Sequence, residues 1–282
     1  MSAQRLICTM FLSEFATDVL RWSGRSPRVA MSGRSGMRRL IVNADDFGRA
    51  PGVSRGIVEA HRAGILTSTT LMVNLPWSRD ASDLAVSVPA LGVGLHLSFC
   101  YGESLASDAP SLLGDDELLD RNLARLQGRL LVEDIDREAR AQLERFRKLT
   151  GRNPTHIDSH QHVHSWPEVR EAVAQIAQEN DLPLRAIDAD HRAFLRQLGV
   201  RTTDHFVGDF FSPGSMTADR LLIALESLPD GDTELMCHPG YDDAHLADSS
   251  FRREREVELM LLCRSDVRQA TAGTSLVSFA DL

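Results

Sequence analysis

The chain is poor in the features that would direct its reading elsewhere. Its four cysteines, Cys8, Cys100, Cys237 and Cys263, are scattered without a C-x-x-C pair, which suits free thiols in a reducing cytosol and not a disulfide scaffold. No apolar run approaches the roughly 18 to 20 residues needed to cross a bilayer, so no membrane span is expected. Basic excess is missing as well. A formal net charge of -9 and a pI near 5.6 argue against nucleic acid or an anionic membrane surface as the main partner. A secretory signal is not evident either, because the amphipathic helix expected over residues 6–22 carries Glu14 and Asp18 and no small-residue cleavage site follows. A cytoplasmic protein is expected.

Histidine is what the chain has. Of its ten histidines, four fall in the run His156-Ile157-Asp158-Ser159-His160-Gln161-His162-Val163-His164. Neutral imidazole is a common ligand for divalent transition ions, and an ionised Asp completes a shell or orients a ligating ring from behind. A histidine-rich loop that binds nothing is the plain alternative. A metal site would need partners from other parts of the chain.

At 282 residues the chain is long enough for one large α/β domain. Residues 1–36 read as an N-terminal extension, and residues 37–282 as a single compact domain starting at Met37. Strands are expected over residues 40–42, 66–73, 92–97, 155–158, 182–186, 204–211 and 233–237. Helices are expected over 51–64, 80–86, 132–150, 167–180, 192–198, 217–228 and 254–263. Residues 98–130, broken by Gly102, Pro110 and Gly114, fit an insertion over the sheet's carboxyl edge. Strands alternating with helices imply right-handed βαβ units, and about seven of them favour a (β/α) barrel over a doubly wound sheet.

Asp45, Asp46, His96, Asp158, His160, Arg185 and His238 all fall at or just beyond the carboxyl end of an expected strand, where barrel and open α/β enzymes assemble their sites. Singly, His96 is compatible with a hydrogen-bonded core histidine, His238 with a loop residue, and either Asp with a helix cap. Together they make a site. One Asp would bind an ion and the other move a proton, and His96 and His160 would complete a shell of one carboxylate and two imidazoles. An open shell of that kind polarises a carbonyl and lowers the pKa of bound water toward about 7, which suits hydrolysis. The second Asp would serve as base and His238 as acid.

The blocks Ala44-Asp45-Asp46-Phe47-Gly48, Gly94-Leu95-His96-Leu97, Thr155 to His164 and Met236-Cys237-His238-Pro239 resemble, in order, the signature blocks of the YdjC-like carbohydrate deacetylases. The resemblance spans residue 38 to the C-terminal region. It implies a distorted (β/α) barrel, a divalent metal commonly recorded as magnesium, a homodimer, and removal of N-acetyl groups from amino sugars such as N-acetylglucosamine-containing oligosaccharides. Carried over by position, it makes Asp46, His96 and His160 the metal ligands, Asp45 the base and His238 the acid. The blocks Thr70 to Asn74 and Pro183-Leu184-Arg185-Ala186 also match, so Arg185 would orient Asp45 or contact substrate. Residues 1–36 have no counterpart, and 98–130 diverge.

By ligand softness, two imidazoles and a carboxylate suit zinc, cobalt or iron better than magnesium. His156, His162 and His164 exceed one shell and are assigned to hydrogen bonding behind the ligands or to sugar contact. Asp158 would steady a ligand ring or bond backbone amides of its turn. Two other readings stay open: a metal-dependent hydrolase of a phosphoester or another amide, and a noncatalytic metal- or sugar-binding protein.

Overall fold

A computed structural model describes residues 36–208 and 216–282. The helix expected over residues 6–22 lies outside them, as does the end of the strand expected over 204–211. The apolar run Leu40-Ile41-Val42 sits in the central strand β1 (Arg38–Phe47), where all three side chains are fully buried. Burial on both faces is what a parallel strand with the barrel core on one side and helices on the other requires.

Around it lie β2 (Ser68–Leu71), β3 (Gly92–Leu97), β4 (Ile157–Ser159), β5 (His205–Val207) and β6 (Gly231–Cys237). The short β7 (Ser275–Leu276) pairs with the start of β1. Every pairing among these strands is parallel, in the order β4-β3-β2-β1-β6-β5. Seven strands thus form a curved sheet that remains open between β4 and β5 among the described residues, a distorted (β/α) barrel. The segment expected as a strand over 182–186 contributes only a bridge from Leu184 to Ile157. Its amides divide their bonds, Leu184 N–H to Arg201 O and Arg185 N–H to Ile157 O. This places Arg185 beside β4 at the gap.

Helix α1 (Pro51–Ala63) begins with Pro, whose missing amide costs nothing at a first helical turn, and packs closely on the loop after β6. A Cβ on Gly56 would stand 2.5 Å from Gly240 Cα, so any larger residue would push that loop, with His238, out of place. Helix α2 (Ser78–Val86) precedes β3, and the insertion after β3 holds one short helix, α3 (Leu123–Leu126).

Helix α4 (Val132–Thr150) stops at Gly151 in the left-handed conformation, φ 70°. Its stripe Ile135, Ala139, Leu143 and Phe146 is buried as its periodicity implies. The charges are not all opposite that stripe, however. Asp134, Glu138 and Gln142, spaced four apart, are buried too. Glu138 accepts the amides of Leu105 (2.9 Å) and Ala106 (2.8 Å) and the Ser104 hydroxyl (2.7 Å). Gln142 accepts the Ser98 amide and donates to the Ser98 carbonyl, and Asp134 accepts the Ser111 amide. Hydrogen bonds to charged groups contribute about 1.5–3 kcal/mol each. They tie the irregular insertion to a rigid helix.

The remaining α-helices among the described residues are α5 (Arg170–Glu179), α6 (Ala189–Gln197), α7 (Ala218–Glu226), α8 (Arg253–Leu262) and α9 (Ser265–Ala270). The sequence reading lacked α3, α9 and β7, all short.

Candidate metal centre and active site

Adjacent residues of a regular strand point to opposite faces, so a neighbouring Asp pair should divide between core and helix layer. Here it does not. The register of β1 against β2 is irregular between Ala44 and Phe47, and Asp46 takes a left-handed φ of 69° that Asp tolerates better than most residues. Both carboxylates therefore face one buried site.

Asp45 is locked by Arg185, whose Nη1 and Nη2 donate to Oδ2 and Oδ1 at 2.8 and 2.7 Å. Burial alone would raise this carboxyl, but the Arg185 charge and hydrogen bonds, helped by His96 and His238, hold it well below the usual range. Arg185 is itself fully buried and also meets Asp158 Oδ2 at 3.0 Å and Glu234 Oε1 at 2.7 Å. Three acids around one guanidinium leave a surplus of negative charge. Burial, opposed in part by Arg185, pushes the Glu234 carboxyl up to about 7.

Asp46 Oδ2 takes Arg255 Nη2 at 2.5 Å, with Arg49 Nη1 3.6 Å away. Those two cations overcome the effect of burial and keep this carboxyl well below its ordinary value. The other oxygen, Oδ1, faces His96 Nε2 at 3.6 Å and His160 Nδ1 at 3.1 Å. Neither Asp46 Oδ1 nor His96 Nε2 has a hydrogen-bond partner, although both are buried. Orphaned buried polar atoms are costly, and two such atoms, converging with His160 Nδ1 so that one carboxylate meets two imidazoles, fit a divalent cation in their midst. Ligand atoms of Asp46, His96 and His160 lie within 4.8 Å of one another. This buried group could hold one metal ion.

Behind His96, Nδ1 donates to Asp158 Oδ1 at 2.7 Å, and the Thr70 hydroxyl donates to Asp158 Oδ2 at 3.0 Å. A second group, Asp45, His96 and Asp158, also brings ligand atoms within 4.8 Å of one another. Its donor atoms are already spent on Arg185 and on each other, so it offers no competing site.

The YdjC-like protein family matches residues 39–272. The chain belongs to it. Among YdjC-like relatives, a carbohydrate deacetylase from Geobacillus stearothermophilus is 41% identical over 248 residues, covering 86% of this chain and 98% of that protein. A chitooligosaccharide deacetylase from Serratia marcescens is 38% identical over 254 residues, covering 86% and 98%. A crystal structure from Enterococcus faecalis V583, named for cellobiose-phosphate cleavage, superposes with a TM-score of 0.82 at 29% identity, covering 87% of this chain and 99% of that one.

His238, on the exit loop of β6, presents Nε2 to Asp45 Oδ2 at 4.0 Å and Nδ1 to Glu258 Oε1 at 3.8 Å. Its amide donates to Glu258 Oε2 at 2.5 Å. Burial lowers the His238 imidazole to about 4, and burial raises the Glu258 carboxyl well above its ordinary value. The facing atoms, His238 Nδ1 and Glu258 Oε1, are both buried without a hydrogen-bond partner.

The other histidines separate by environment. His160 opens the turn His160–Ser165, in which Gln161 and His162 are both left-handed, φ 57° and 53°. Two consecutive strained residues are a pattern associated with functional turns. His162 sits edge-on to Phe206, and burial and Arg185 lower it to about 3. His164 is fully buried, bonded to the Ser159 hydroxyl at 2.6 Å and facing the Arg185 carbonyl at 3.2 Å, so it braces the backbone that carries Arg185. His156 stacks on Phe279 at 3.8 Å. It packs in the core.

Several residues escaped the sequence reading: Asn43, which donates to both Asp45 and Asp158; Glu234; and Arg255 with Glu258 on α8. A Glu inside the apolar strand Thr233 to Cys237 was a legible signal. Arg255 and Glu258 were not, because alternating charges on a helix ordinarily mean a solvated face.

Proposed function

We propose that the chain is a metal-dependent hydrolase that removes the N-acetyl group of an amino sugar, as its deacetylase relatives' names describe for them. The observation that carries this reading is the convergence of unpartnered Asp46 Oδ1 and His96 Nε2 with His160 Nδ1, beside an Asp45 kept ionised by Arg185. The ligands would be Asp46, His96 and His160. A divalent ion held there would supply Lewis acidity to polarise the acetyl carbonyl and acidify a water. Imidazole ligands favour zinc, cobalt or iron; the family resemblance favours magnesium.

Asp45 is the base. The fork of Arg185 fixes both its oxygens, so it meets the attacking water without side-chain reorganisation and takes one proton as the new carbon–oxygen bond forms. His238, across the site, gives a proton to the sugar nitrogen as the carbon–nitrogen bond breaks, releasing the free amine and acetate. Glu258, with Oε1 3.8 Å from the other ring nitrogen, is the acid placed to return a proton to the ring. Arg255 holds Asp46 Oδ2, which leaves Oδ1 to face the two imidazoles. The catalytic domain is read as residues 37–282, acting in the cytoplasm.

Acetate release from a panel of N-acetylated sugars, by protein loaded with each divalent metal and by chelated protein, tests the proposal. Metal-dependent release of acetate with a matching free amine is expected. Absence of acetate with every metal and sugar would sink it.

A further inference from the structure

Tyr101 is gripped from several sides at the mouth of the site. Its ring lies between the guanidinium groups of Arg49 and Arg121, each 4.6 Å from the ring centroid. Its hydroxyl donates to Asp248 Oδ2 at 2.8 Å, the same oxygen that receives Arg121 Nη1 at 2.8 Å. On the inner side Arg49 Nη1 stands 3.6 Å from Asp46 Oδ2 and 3.5 Å from His160 Nε2, and the Tyr101 and His160 rings are 5.7 Å apart.

Sheet order makes this cluster a bridge. Tyr101 follows β3 and Asp248 follows β6, and β2 and β1 lie between those strands. A link from one loop to the other crosses about three strand spacings, about 14 Å, over the carboxyl ends of the intervening strands. One of them ends in Asp45-Asp46. The bridge has a firm end and a weak end. At the first, Glu138 and Gln142 pin the insertion to α4. At the second, Arg121 and Asp248 have side chains 50% and 33% exposed, where an ion pair contributes ~0–1 kcal/mol and each cation–π contact ~0.5–1 kcal/mol.

We infer that Tyr101, Arg121 and Asp248 form a strap that walls one flank of the site and determines how far a sugar chain can extend past the reacting acetamide. This inference rests on the deacetylase reading and deepens it. A sugar at a chain end reaches the site from the unwalled side, whereas a chain continuing toward β3 and β6 meets the Tyr101 ring. Because the strap's outer end is exposed, one substitution opens it without disturbing the core.

The test compares the full-length wild type with Asp248→Ala and Tyr101→Ala on N-acetylglucosamine oligomers from dimer to hexamer. Acetate release by the metal-loaded proteins is read beside calorimetric binding of the same oligomers to the metal-free proteins. In Asp248→Ala the hexamer-to-dimer ratio of kcat/KM is expected to rise about tenfold, equivalent to about 1.4 kcal/mol, with hexamer binding tightened in step. A length profile unchanged in both variants, in proteins that still unfold cooperatively, overturns the strap. Should the wild type release no acetate from any sugar, the deacetylase reading fails, and the binding profile alone then upholds or overturns the strap.

Discussion

His96 donates its Nδ1 proton to Asp158 Oδ1 across 2.7 Å, so in the neutral ring the lone pair sits on Nε2, the nitrogen that faces Asp46 Oδ1 at 3.6 Å. Asp158 is in turn held by Thr70, Asn43 and Arg185. A carboxylate behind an imidazole fixes its tautomer and makes the outer nitrogen a better donor to a metal.

Asp158→Asn tests that link. An amide accepts the same hydrogen bond without the charge, and metal affinity is expected to fall by about 10- to 100-fold while the fold persists. Competition with a chromogenic chelator measures it; unchanged affinity would mean that Asp158 serves its turn and not the ligand.

The Arg185 cluster predicts a pH dependence of stability. Glu234 titrates near 7 in the folded chain against 4.5 in the unfolded one, so the folded chain binds the extra proton between those values. Its contribution is fully present below 4.5 and is lost as pH rises through about 7, amounting to about 3 kcal/mol at most. Glu234→Gln keeps an acceptor for Arg185 and removes the titration. Urea midpoints for this variant should stay flatter than wild type from pH 5 to pH 8; parallel curves would contradict the assignment.

For the His238–Glu258 pair the expectation is kinetic. Glu258→Gln should lower kcat by about 10²-fold or more with KM and metal content little changed, because it removes the carboxyl placed to return a proton to His238. A full-rate variant would leave Glu258 a merely structural partner of the His238 amide.

Much of this was readable from the residues. The βαβ rhythm, the helix of residues 132–150 and the placement of polar residues at strand ends follow from hydrophobic period and from Gly and Pro punctuation. That reasoning put Asp45 and Asp46 at one site but could not see what lets them share a face, because a regular strand separates adjacent side chains and only the irregular register with a left-handed Asp46 brings them together. Nor could it tell His156, His162 and His164 apart, whose fates depend on Phe279 and Ser159 for His156 and His164 and on the reversal of the chain at Gln161. Arg255 and Glu258 lie more than two hundred residues from Asp46 along the chain. Long-range pairing of that kind leaves no local pattern.

The most direct test is the metal stoichiometry of three proteins by elemental analysis after loading and desalting: wild type, Asp45→Asn and His160→Ala. One ion per chain is expected in the first two, with activity only in the wild type, and far less than one in His160→Ala. A full complement of metal in His160→Ala, or its loss in Asp45→Asn alone, would contradict the grouping of Asp46, His96 and His160 around a single ion.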